Sequence, residues 1–255
     1  MDKETKIRCD IDLTFEDYFH NISIWNLIGA GHNVDVLKKL VDAYFNSDSD
    51  RRMKIPRILI TGAAGSGKRT VAHAFVNSLC IENVTYIESE FLDAPGFSMS
   101  SKYVFENRPD KAVIVSHIEN LTHHAEFFLW QYLSTGKCCY GKLHSGDWEI
   151  VHYDGILILT ANKKELVSKQ ILNNIDVIIE LEPYQDFQIR KILEQRINYM
   201  KLKYEVSVIN LLLNSSENKI DKLMRLLKLG VISMISQDRN ELLVRDIEFA
   251  LENLR

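Results

Sequence analysis

Arg57-Ile58-Leu59-Ile60-Thr61-Gly62-Ala63-Ala64-Gly65-Ser66-Gly67-Lys68-Arg69-Thr70 is the stretch from which the rest of the chain can be read. Its first five residues form a short β-favouring run, glycines follow at 62, 65 and 67, and Thr70 to Leu79 sets Val71, Ala74, Phe75 and Leu79 on one helical face. Strand, glycine loop and helix in that order make a phosphate loop. Glycines let consecutive backbone N–H groups turn inward on an anion, the following helix presents its positive end, and a lysine adds charge at the outer phosphates. Gly62, Gly65, Gly67 and Lys68 meet each requirement, with Ala63, Ala64 and Ser66 as the remaining loop positions.

Working outward, Asn33 to Phe45 spaces Val34, Leu37, Leu40, Val41 and Tyr44 as a helix with Asn33 as its cap, ahead of the polar break at 46–50. Downstream apolar runs at 84–87, 112–115, 155–160 and 177–181 lack polar alternation, as strands do when helices cover both faces of a parallel sheet. From Tyr184 the texture changes: 185–201, 207–213, 219–235 and 244–254 are helical in pattern, with no strand-like run among them. The expected fold is α/β: an αβα parallel-sheet domain over residues 1–183, with 1–23 as an N-terminal extension, then an all-helical unit over 184–255. No internal repeat, low-complexity tract or Gly/Ser linker interrupts it.

The chain has 255 residues, 46% hydrophobic and 26% charged, enough for a substantial core. A net charge of −4 and a pI near 6.1 supply no global basic field, so DNA contact would need a local patch. Lys38-Lys39, Arg51-Arg52 and Lys163-Lys164 are such pairs, but each has acids nearby, and they read as solvated faces. Cys9, Cys80, Cys138 and Cys139 form no CxxC pair, no run approaches the roughly 18 apolar residues of a membrane span, and the N-terminus has no apolar signal core. A reduced, cytoplasmic protein with no membrane partner is expected.

With the loop placed, the chain resembles the AAA+ family over roughly residues 24 to 254, and within it most closely the bacterial Holliday-junction branch-migration motor and the clamp loaders. Ile24-Trp25-Asn26-Leu27-Ile28-Gly29 looks like the adenine-side box, Gly67 to His73 like the motor's loop helix, and Ile158-Leu159-Thr160-Ala161-Asn162 like the sensor-1 strand. Leu181-Glu182-Pro183-Tyr184 resembles the junction into the family's helical lid. The resemblance implies ATP or ADP as ligand. It places Ile28, Gly29, Arg69, Thr70, Asn162 and Lys219 beside the loop as nucleotide-binding residues, and Lys219 stands where the lid's sensor-2 arginine falls, with Arg225 as the weaker candidate. The motor's DNA-reading winged helix would follow the lid, where this sequence stops at Arg255.

Against the same pattern, catalytic parts are missing. A Ser or Thr normally follows the loop lysine and coordinates magnesium, but here it is Arg69, and Thr70 lies about 100 degrees further round the helix. Arg69 is either a surface substitution or a cation in place of the ion, and magnesium is doubtful as a cofactor. The strand that should end in Asp-Glu ends in Ser116-His117. His117 is left as candidate base, its alternative being a strand-end histidine holding a hydrogen bond. Glu119 is a second candidate, read as a solvated helix residue. No arginine finger stands in 171–176, where Asn174 occurs instead.

The hairpin expected at 140–151, with Trp148, offers a contact surface or an ordinary turn. His123-His124, Cys138-Cys139 and His144 lack zinc-like spacing, so no metal is expected there. The leading expectation is an ATP-binding module with little or no hydrolysis, a scaffold or regulatory subunit that forms homo-oligomers or hetero-oligomers with other AAA+ chains or partner proteins. An active ATP-driven DNA motor or loader is the alternative, and a nucleotide-free interaction protein the third reading.

Overall fold

The computed structural model describes residues 21–29, 31, 33–47, 53–93, 111–142, 148–153, 155–217 and 219–254, with the backbone alone at 138–142 and 148–152. The N-terminal stretch 1–20 with Cys9, the pair Arg51-Arg52, His144, and the side chains of Cys138, Cys139 and Trp148 lie outside the described residues.

In chain order the sheet domain comprises α1 (Asn33–Asn46), β1 (Ile58–Thr61), α2 (Lys68–Ser78), β2 (Asn83–Glu88), β3 (Lys111–Ser116), α3 (His123–Thr135), β4 (Lys137–Lys142), β5 (Trp148–His152), β6 (Ile156–Ala161), α4 (Lys169–Leu172) and β7 (Val177–Glu180). β1, β2, β3, β6 and β7 form one parallel sheet in the order β2-β3-β6-β1-β7. The apolar runs expected as strands all fall in it. Their lack of polar alternation has a direct cause: Ile58 and Ile60 enter a core shared with α1 and α2, while Leu59 between them enters the core under α3. β4 and β5 make the expected hairpin, antiparallel and irregular between Tyr140 and Lys142, beginning three residues earlier than the sequence pattern suggests.

Asn33 is the first helical residue of α1, not its cap, and its side-chain amide donates to the Glu180 carbonyl at 2.6 Å. That bond ties α1 to the end of β7, an edge strand whose carbonyl needs a donor. Before α1, the backbone N–H of Ile24 donates to Ser78 Oγ at 2.9 Å and the Asn77 amide donates to the Ile22 carbonyl at 3.0 Å. Ile22 and Ile24 are thereby buried against the end of α2.

The C-terminal part comprises α5 (Asp186–Tyr199), β8 (Lys203–Tyr204), α6 (Val206–Ser216), α7 (Ile220–Ser236), β9 (Glu241–Leu242) and α8 (Val244–Asn253), around its own core of Ile189, Leu193, Leu212, Leu223, Leu227 and Ile247. It is not wholly helical: β8 and β9 pair in parallel through two residues each, too short a ladder to leave an alternation in the sequence. Beside β9 a buried ion pair pins α8, with Arg239 bidentate on Asp246, and Asp246 also accepting from Ser233 Oγ at 2.8 Å and the Leu243 N–H at 3.0 Å.

Candidate functional site

The carboxyl ends of the strands of an open parallel sheet are where such folds hold ligands. Here β1 runs into the glycine loop, β3 into His117, β6 into Asn162, and β7 into Leu181 and Tyr184. Gly67 caps the N-terminus of α2 in the left-handed region at φ 84°, a conformation a β-carbon disfavours. Ala63 and Ala64 are exposed at the loop's tip, while Ser66 is 4% exposed and its hydroxyl finds no hydrogen-bond partner among the described residues.

Lys68 turns back into the loop. Its ammonium donates to the Gly62 carbonyl at 2.7 Å, the Ala63 carbonyl at 3.0 Å and Asn162 Oδ1 at 3.0 Å. Burial pulls the Lys68 pKa below its ordinary value, and the charges of Glu119 and Asp221 oppose that pull. Lysine and Asn162, assigned to one site from sequence, are in direct contact.

Arg69 is exposed, and its guanidinium lies 4.4 Å from the centroid of the Tyr86 ring, on which His73 also packs at 4.4 Å. Burial pushes the Tyr86 phenol well above its usual range, and the Arg69 charge works against that. The cation after the loop lysine is thus seated on β2.

A cleft of about 430 Å³ opens beside the loop, lined from the sheet side by Ile28, Gly65, Gly67 and Thr70 and from the helical side by Tyr184, Asp221 and Arg225. That is the size of a small-molecule site. Tyr184 closes one wall: a β-carbon at Gly29, where φ is +77°, would lie 2.8 Å from its ring, and one at Gly67 would lie 2.5 Å from its hydroxyl. Lys219 caps α7 and pairs with Glu217 at 3.3 Å; it does not line the cleft. Lys222 and Lys219 together hold the Glu217 carboxyl below its usual range. Arg225, one turn further along α7, is in the cleft wall, and Asp221 reaches the loop near Gly65.

After β3, His117 takes a left-handed φ of 57° and the chain closes into a tight 3-10 turn over Ile118–Asn120. Its side chain is 45% exposed, 3.7 Å from Glu119. Glu119 is not solvated, as its place in the sequence suggested: its side chain is only 5% exposed, and Oε1 accepts the Asn162 N–H at 3.0 Å. The turn at His117 folds position 119 back onto the end of β6. Sequence offered one signal for this, a carboxylate three residues past the buried end of a central strand.

Where an arginine finger is expected, the Arg57 N–H donates to Asp176 at 2.8 Å and its guanidinium donates to the Asn174 carbonyl at 3.4 Å, bracing the entry to β1. Among the described residues no group of three or more His, Cys, Asp or Glu is placed to hold a metal, and no helix is long and apolar enough to cross a membrane.

Sheet order, glycine loop and helical lid together define the AAA+ fold. The solved structures similar to this chain include Thermotoga maritima RuvB. One single-residue variant superposes with a TM-score of 0.71 at 18% identity, covering 91% of this chain and 72% of that one. A second variant gives 0.69 at 16% identity, covering 93% and 73%. A structure described as the RuvB Holliday junction branch migration motor gives 0.66 at 16% identity, with the same coverage of 93% and 73%. No family model and no curated protein matches the sequence.

Proposed function

We propose that this chain binds ATP or ADP in the cleft between the sheet domain, residues 1–183, and the helical lid, residues 184–255, and that it hydrolyses the nucleotide weakly or not at all. Bound nucleotide then braces the two parts, and the output is assembly: a scaffold or regulatory subunit that associates with itself or with other AAA+ chains.

The observation that carries this reading is the state of Lys68. A buried ammonium held by two loop carbonyls and Asn162 Oδ1 is a cation whose oxygen partners can be exchanged for those of a phosphate. The unpartnered Ser66 hydroxyl in the same loop is a further donor. Weak hydrolysis follows from Ser116 and His117 at the end of β3, from Asn174 in place of an arginine finger, and from Arg69 on Tyr86. An arginine finger alone is worth about 10³ to 10⁵ in rate. The similar RuvB structure is described as a branch migration motor, but a net charge of −4 gives this chain no general attraction for DNA.

Purified protein titrated with ATP and ADP in a calorimeter, and assayed for phosphate release, tests the proposal. Binding that Lys68→Ala weakens, with phosphate release at background, is expected. Turnover abolished by Lys68→Ala would instead make the chain a motor or loader. Failure to bind either nucleotide would make it a nucleotide-free interaction protein.

A further inference from the structure

Magnesium accompanies the nucleotide in this fold class, and the positions that would receive it carry unsuitable groups: Arg69 is a cation seated on Tyr86, Ser116 a neutral hydroxyl, His117 a half-exposed imidazole. Glu119 fits. One carboxylate oxygen is fixed by the Asn162 N–H at 3.0 Å, and the other, Oε2, is buried with no hydrogen-bond partner among the described residues. Asn162 in turn accepts from Lys68 at 3.0 Å, so a single residue separates this acid from the ammonium at the loop. A buried carboxylate oxygen left open costs free energy until a donor or a cation fills it.

Resting on the nucleotide reading above, we propose that Glu119 is the acidic group that receives the divalent cation of a bound magnesium nucleotide, the part that Ser116 and His117 do not play. Magnesium keeps several of its waters and is held by one or two carboxylates plus the phosphates, so one well-placed acid is enough. The Asn162 bond holds Oε1, and the unpartnered Oε2 is the oxygen a cation or its water takes. Asp221 also reaches the loop, but it is exposed and approaches from the lid.

The test is the ATP affinity of the full chain by calorimetry, with magnesium and with excess EDTA, repeated with manganese and read by electron paramagnetic resonance. Magnesium is expected to strengthen ATP binding of the unaltered protein about tenfold or more, and Glu119→Gln to bring the ratio of the two affinities to about one. Gln keeps the acceptor for the Asn162 N–H, and a thermal melt confirms folding. Should it fail to fold, Glu119→Asp decides, since it keeps the charge but withdraws it and lowers the same ratio. Ser116→Ala retains the unaltered protein's ratio, and the manganese signal of the bound nucleotide changes only with substitutions at Glu119. An unchanged ratio in folded Glu119→Gln, or an unaltered protein that binds ATP equally with and without magnesium, overturns the assignment. A chain that binds no nucleotide under either condition overturns the nucleotide reading itself and leaves Glu119 without this role.

Discussion

Substituting Gly67 by alanine has two separable costs, because the position joins loop to lid. Its φ of 84° is left-handed, which costs a residue with a β-carbon roughly 1–2 kcal/mol. The added carbon would also sit 2.5 Å from the Tyr184 hydroxyl, and its next neighbour, Cζ of the same ring, is at 3.6 Å. Overpacking of that kind adds roughly 1–3 kcal/mol. Tyr184→Phe removes the offending oxygen and leaves 3.6 Å, an ordinary contact. Gly67→Ala should therefore cost roughly 2–5 kcal/mol alone but only the backbone part, about 1–2 kcal/mol, when combined with Tyr184→Phe. The coupling, about 1–3 kcal/mol, lies in the range measured for residues in contact. Urea unfolding of the four proteins, followed by tryptophan fluorescence and by circular dichroism to register any separate transition of the lid, gives the cycle. Additivity within about 0.5 kcal/mol would refute the reasoning, since it would mean that Tyr184 does not lie over the loop.

The remaining expectations concern charge. Lys68→Ala should weaken ATP binding by roughly tenfold to a hundredfold in calorimetry, the value of charge-assisted hydrogen bonds to an anion. Asp221→Asn removes a carboxylate that faces the loop and should strengthen nucleotide binding by about 1 kcal/mol at low salt, less at high salt; weaker binding would show that Asp221 supports the site. In the lid, burial would raise the Asp246 pKa, but hydrogen bonds from Arg239, the Leu243 N–H and Ser233 hold the carboxyl below its usual value. A group with a depressed native pKa stabilises fully above its unfolded value near 3.8 and loses that contribution as pH falls through the native one. Acid unfolding monitored below about pH 4 should therefore lose part of its steepness in Asp246→Asn. At pH 7, Arg239→Met should cost about 3 kcal/mol by leaving a buried carboxylate unpaired, read as a lower urea midpoint.

The sheet and the loop were legible because their determinants are local. Ile58 to Thr61 must be a buried strand on its own composition, and the glycine spacing of 62, 65 and 67 specifies a backbone path without reference to anything distant. Lys68 could be assigned from the loop itself and Asn162 from the resemblance of residues 158–162 to the AAA+ sensor-1 strand, and the sheet places β6 beside β1. Side chains whose meaning depends on a distant partner were not legible. Lys219 carries the expected charge but pairs with Glu217 two residues away, while Arg225 and Asp221, further along α7, take the cleft wall.

Glu119 shows most sharply why a motif scan misjudges such a site. Its hydrogen-bond partner is 43 residues away, just past the end of β6, and its burial comes from a left-handed turn at His117, a conformation that nothing in the one-letter sequence announces. In sequence, two acids are missing from the end of β3 and the acid at 119 is out of register. In space, a carboxylate lies against Asn162, which in turn accepts from the loop lysine. The absence of acids at 116 and 117 therefore does not measure the charge left in the site, which is why magnesium dependence and turnover have to be tested apart.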